Sequence, residues 1–212
     1  MNIKRYTEPG YGHINEDAIA ALRHPTDSTL LISALADGQG GRPGGGEAAK
    51  NAVRLCLENA TTYSPGKLVD PYIWVSICEA VDQQVCGFPE AGFTTLIGLT
   101  VGPAFVAGAS SGDSAVVLLL GDQFIVLTER QQKNPPVGSG GCRPTPLSAH
   151  LSEPWKLLVV SDGVWRYIGW ERMAGLMRSD DGDVLLSRLR DTAVESTNER
   201  LADDFSCMLF EP

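Results

Sequence analysis

Positive charge is scarce in this chain. Lysine and arginine total 17 against 26 aspartates and glutamates in 212 residues, a formal net charge of −9. A surface of that sign repels phosphate backbones and anionic lipid, so no nucleic acid and no membrane surface is expected as a partner. The five cysteines, Cys56, Cys78, Cys86, Cys142 and Cys207, are scattered and form no C-x-x-C. That excludes a disulfide framework and a thiolate zinc site, and points to reduced thiols in a cytoplasmic protein. Only His13, His24 and His150 are present. The opening Met1-Asn2-Ile3-Lys4-Arg5-Tyr6 has no apolar run behind its charges, so no signal peptide is expected there. Between Ala91 and Gly112 the chain carries no charge, a stretch long enough to span a bilayer. Its threonines and glycines, and the Gly102-Pro103 break, read instead as two buried strands around a turn.

What is present is ordinary globular material, 43% hydrophobic, with an unusual 23 glycines. Ser28–Ala36 is an apolar run delivering Asp37-Gly38 to its end, followed by a glycine-rich loop and a helix from about Glu47 to Ala60. Asp70-Pro71 is a helix start, and Ile73, Trp74, Ile77, Cys78, Val81 and Val85 recur behind it at helical spacing. Phe93–Val101, Phe105–Ala109, Ser114–Leu120 and Gln123–Thr128 read as strands, the last two joined by a Gly121-Asp122 turn. Gln131–Ser152 is polar and rich in Pro and Gly, and reads as a long functional loop. Lys156–Ser161 is a strand ending in Asp162-Gly163. Helical patterns follow near Trp170–Met177 and Val184–Thr197, then a last strand at Phe205–Phe210. Strands and helices come in blocks without β-α-β alternation, which argues for a single α+β domain over residues 1–212 with antiparallel sheets.

The most informative pattern is the repeated placement of acids beside strands: Glu16-Asp17, Asp37, Asp113, Asp162 and Asp203. Each Asp-Gly alone is explained by a turn. Gathered at one sheet edge, however, such acids repel, by roughly 4 kcal/mol for two charges about 4 Å apart at an effective dielectric near 20. Cations or shifted protonation must offset that. A donor set of oxygens alone suits Mg²⁺ or Mn²⁺ rather than Zn²⁺.

These motifs resemble, in order, those of the metal-dependent protein phosphatases of type 2C. The matching segments are Asn15-Glu16-Asp17-Ala18, Ala36-Asp37-Gly38-Gln39-Gly40-Gly41 with Gly46-Glu47-Ala48-Ala49, Phe93-Thr94-Thr95-Leu96, Gly112-Asp113-Ser114, Ser161-Asp162-Gly163-Val164-Trp165 and Asp203-Asp204-Phe205-Ser206. The resemblance implies a central β-sandwich of two antiparallel sheets flanked by antiparallel helices. It implies that Asp37 bridges two metal ions and that Asp162 and Asp203 complete the first ion's ligands. The Gly38 carbonyl and Glu16, directly or through water, would serve the second ion. Asp17 would hold a metal-bound water, and Asp113 with Asp162 a third ion. Two or three Mn²⁺ or Mg²⁺ ions would then activate water to hydrolyse phosphoserine or phosphothreonine on a phosphoprotein, with a Ser/Thr kinase as functional counterpart and the chain acting as a monomer.

The chain also departs from the pattern. Where many members carry a phosphate-binding arginine, four residues before Glu16, it has Gly12; His13 and Arg42 are the nearby candidates to supply positive charge. Gln39 stands where animal-type members have histidine, and Ala115 where the Gly-Asp-Ser turn continues with arginine. A catalytically weak module binding a phosphoprotein or kinase is the alternative these losses suggest. Other motifs fail on context. Gly41-x4-Gly46 has Walker spacing but Glu47 in place of lysine. Gly44-x-Gly46-x-x-Ala49 matches a relaxed dinucleotide fingerprint, but no strand ending in an acid follows at the needed distance. The elbow-like Gly108-x-Ser110-x-Gly112 precedes a strand rather than a helix.

Overall fold

A computed structural model describes residues 1–212 except His13, Arg42, Ala91, Glu153 and Asn198. Ten strands form two five-stranded antiparallel sheets. One sheet runs in the order β1 (Asn2–Glu8), β10 (Phe205–Glu211), β9 (Trp155–Val160), β6 (Ala115–Leu120), β7 (Gln123–Val126). The other runs β2 (Asp17–His24), β3 (Asp27–Asp37), β4 (Leu96–Val101), β5 (Phe105–Ser111), β8 (Thr145–His150).

The near-continuous apolar runs have a simple cause: both faces of each sheet are covered. Side chains alternate faces along a strand. Leu31, Leu35, Ile97 and Leu99 therefore meet Val116, Leu118, Val159 and Phe210 between the sheets. Their neighbours Ile32, Ala34 and Ala36 pack outward against α1 (Gly45–Thr61) and α2 (Pro71–Cys86). Val117, Leu119, Leu158 and Leu209 pack outward against α3 (Asp162–Ile168), α4 (Trp170–Ser179) and α5 (Gly182–Glu195). The result is a four-layer sandwich, helices outside and sheets inside. Asp70 caps α2 by accepting the N–H of Tyr72 at 2.9 Å, with Pro71 at the first helical position. Cys56 and Cys78 are fully buried core residues.

Four elements differ from the sequence reading. Asn2–Glu8 and Asp17–His24, unassigned there, are strands β1 and β2. The polar segment 131–152 is not wholly a loop, because Thr145–His150 forms edge strand β8 on β5. Pro146 is tolerated there because an edge strand leaves one side unpaired. The second Asp-Gly is not a simple turn, because Asp162 opens the short helix α3. No described helix is long and apolar enough to cross a membrane, and the uncharged stretch resolves into β4 and β5.

Candidate active site

The sheets bring their acid-bearing ends to one cavity of about 340 Å³. Glu16, Asp37, Asp113, Asp162 and Asp203 line it, each from a different strand end or adjoining turn, together with Gly38 and Asp204. Asp17 stands one layer deeper, paired in register with Asp37 across β2 and β3. His13 and Arg42 lie outside the described residues.

Backbone bonds fix these loops. Asp37 N–H donates to Thr95 Oγ1 at 2.9 Å, and the Asp37 carbonyl accepts from Thr95 N–H at 2.9 Å and Thr94 Oγ1 at 2.8 Å. Thr95 Oγ1 in turn meets Ser114 Oγ at 2.8 Å, beside Asp113. Gly38 N–H donates to the Glu16 carbonyl at 3.2 Å, and a Cβ at Gly38 would stand 2.5 Å from the Gly45 carbonyl carbon and oxygen. Only glycine lets the two chains approach so closely. Gly163 is under the same constraint, since a Cβ there would lie 2.0 Å from the Asp204 carbonyl oxygen.

The reading from sequence passed over Asp204. Its two carboxylate oxygens accept the N–H groups of Gly10 at 2.8 Å and Glu16 at 2.6 Å, so it shapes the loop that carries Glu16. Lys133 was also missed, in the middle of a long polar segment. Its ammonium pairs with Asp113. Arg166, on α3, reaches Asp162 at 2.6 Å and Asp113 at 3.4 Å.

The electrostatics match crowded acids. Burial, then the charges of Asp17, Asp162, Asp203 and Asp113, push the Asp37 carboxyl up to about 9. Burial raises Asp17 to about 7, with Asp204 and Asp162 adding to it. The hydroxyls of Ser161 and Ser206 face Asp17 and favour its charged form, yet neither closes a hydrogen bond to it: both its carboxylate oxygens are buried without a partner. Asp162 is raised by burial and by Asp113, and drawn back by Arg166.

Buried, unpartnered carboxylate oxygens are costly unless something positive completes them. The residues here fit hard divalent cations: among the described residues the acid donors lining the cavity are oxygens, with no imidazole or thiol beside them. Among the described residues, no three acid, imidazole or thiol groups already enclose one point at ligand spacing. The acids ring the cavity rather than forming a closed cage.

A sandwich of two five-stranded antiparallel sheets, with acids converging at one end, fits the phosphatase class that the sequence motifs resemble. The protein phosphatase 2C family model matches residues 10–135, more than half of the chain, and the chain belongs to that family. Membership places it among the protein phosphatases. No curated protein sequence matches it. Solved structures similar to it include a bacterial serine phosphatase, with 18% identity and a TM-score of 0.83 over 99% of this chain and 96% of the other. The Staphylococcus aureus serine/threonine phosphatase Stp1 is 17% identical, with a TM-score of 0.83 over 99% and 94%. The catalytic domain of the serine/threonine protein phosphatase PstP, solved in complex with two manganese ions, is 18% identical, with a TM-score of 0.80 over 98% and 96%. At these identities the likeness establishes the fold.

Proposed function

We propose that the chain hydrolyses phosphoserine and phosphothreonine esters on a phosphoprotein with Mn²⁺ or Mg²⁺ held in this cavity. The observation that carries the reading is the convergence of Glu16, Asp37, Asp113, Asp162 and Asp203 on one cavity above a buried Asp17 whose carboxylate has no partner. Asp37, the Gly38 carbonyl, Glu16, Asp162 and Asp203 would hold two ions, and Asp113 with Asp162 would hold a third. When bound, the ions lower the pKa of a water toward neutrality and offset charge on the phosphoryl oxygens.

The chain's own groups supply order. Thr94 and Thr95 fix the Asp37 turn, and Asp204 fixes the Glu16 loop. Asp17, buried behind the acids that line the cavity, would hold a metal-bound water.

The test is hydrolysis of p-nitrophenyl phosphate and a phosphopeptide by purified protein with Mn²⁺ or Mg²⁺. Turnover that EDTA abolishes and added Mn²⁺ restores supports the reading. Calorimetry that detects no divalent ion, together with no turnover, overturns it.

A further inference from the structure

A phosphomonoester is a dianion, yet the described residues lining the cavity include Glu16, Asp37, Asp113, Asp162, Asp203 and Asp204 against one cation, Lys133. We propose that Lys133 is the residue that grips the substrate phosphate, and the released phosphate after it. The inference rests on the phosphatase reading above and adds to it the group that recognises the anion.

The segment that carries Lys133 is held at both ends, and the side chain reaches the Asp113 carboxylate from it. On one side Gly112 N–H donates to the Gln132 carbonyl at 3.0 Å. The Gln131 amide donates to the Ser114 carbonyl at 2.6 Å and accepts from Ser110 Oγ at 2.7 Å. On the other side Val137 and Thr94 exchange both backbone bonds, each at 3.0 Å. Past Val137, buried Asp82 on α2 accepts the N–H groups of Gly138 at 2.7 Å, Gly140 at 3.1 Å and Cys142 at 3.0 Å. Lys133 and Asn134 thus hang over the cavity between fixed points. A backbone already ordered loses little freedom when a ligand arrives.

The charge arrangement leaves the ammonium able to take a second partner. Lys133 shares the Asp113 carboxylate with Arg166, so two cations lean on one acid. An ammonium has three donors, and the Lys133 side chain is 63% exposed where Asp113 is 20% exposed. A phosphate in the cavity would meet a donor already aimed inward, beside the metal-holding acids.

The experiment measures binding of inorganic phosphate to the Mn²⁺-loaded protein by calorimetry, alongside steady-state kinetics with p-nitrophenyl phosphate. Lys133→Ala should weaken phosphate binding roughly tenfold or more, the scale of one charge-assisted hydrogen bond. KM should rise in step, with a smaller change in kcat and no loss of Mn²⁺ affinity. Lys133→Arg should recover most of both. Unchanged phosphate affinity and KM in Lys133→Ala would overturn the proposal. So would a parallel loss of Mn²⁺ affinity, which would mean that Lys133 acts only through Asp113, or a loss seen in Arg42→Ala instead. Absence of turnover in the unaltered protein would count against the phosphatase reading alone, because phosphate calorimetry still decides the role of Lys133.

Discussion

Asp204 accepts the backbone N–H of Glu16 at 2.6 Å, tying together two acid-bearing loops 188 residues apart in the chain. Its other oxygen takes Gly10 N–H at 2.8 Å. One carboxylate thus fixes where β2 begins relative to β10, and with it the reach of Glu16 into the cavity. Asp204→Asn should break this arrangement at one point, because an amide can accept through its oxygen only. The unpaired N–H costs roughly 1–3 kcal/mol. Mn²⁺ affinity should fall by about 10–100-fold, as is usual when a residue orienting a metal ligand is lost. Thermal denaturation and Mn²⁺ calorimetry read the two effects separately.

Asp37 is the most strained acid, held up near 9 by burial and by four neighbouring carboxylates. If Asp37 holds the ions as proposed, Asp37→Asn should lower kcat by roughly a hundredfold or more, since a ligand matters at least as much as the groups that orient it. In EDTA the same variant should be more stable than the parent at pH 8, by about 2–4 °C in midpoint, because the parent must take up a proton at Asp37 on folding and the variant need not. Opposite signs in activity and in metal-free stability mark a group placed for function at the expense of the fold. A variant that is destabilised in EDTA would contradict this account.

The strand-to-acid junctions at Asp37 and Asp162 were readable because each closes an apolar run, and the ordered motifs led from there to the sandwich. What escaped reading did so for physical reasons. β1 and β8 are edge strands with polar faces, and β8 contains Pro146, so neither shows the alternation or apolar density of β3 or β9. Helix α3 follows a strand through Ser-Asp-Gly, a sequence that reads locally as a turn. Asp204 resembles a duplicate of Asp203, and its work is visible only when Gly10 and Glu16 are brought beside it. Lys133 lies in a segment with no periodicity, so its position depends on anchors from β5, the turn after it, Thr94 and α2 that no local pattern announces.

Away from the cavity, Arg190 on α5 makes a two-pronged pair with Glu8 on β1, at 2.9 and 3.0 Å, and Tyr6 Oη adds a bond to the same carboxylate at 2.6 Å. The Arg190 bond is the largest cause holding the Glu8 carboxyl below its usual range. For an acid with a depressed folded pKa, the stabilisation is present above the unfolded value and is lost as pH falls through the folded one. Arg190→Ala should therefore cost about 0.5–1 kcal/mol at pH 7, a modest figure because both side chains are about one-third exposed. That cost should shrink steadily below about pH 4.5, near the unfolded carboxylate value. Urea denaturation of parent and variant at pH 7 and pH 3 measures the difference directly.

Asp82 offers the sharpest separation of architecture from chemistry, because it is almost fully buried on α2 and does not line the cavity. Its Oδ1 takes Gly138 and Gly140 N–H, and its Oδ2 takes Cys142 N–H. The nearby negative charge adds to burial in pushing the Cys142 thiol up to about 12. Asp82→Asn can keep the two bonds to the amide oxygen but turns a donor toward Cys142 N–H, leaving one buried N–H unpaired at a cost of roughly 1–3 kcal/mol. The segment between Val137 and Cys142 should loosen, and hydrogen exchange at Gly138, Gly140 and Cys142 should quicken before that of β4 or β6. Since Lys133 hangs from the same segment, KM for p-nitrophenyl phosphate should rise while Mn²⁺ affinity stays at the parent value. In the Lys133→Ala background the Asp82→Asn substitution should add little further to KM, because the group it positions is already absent. Additive effects of the two changes on KM would show that Asp82 serves the fold alone.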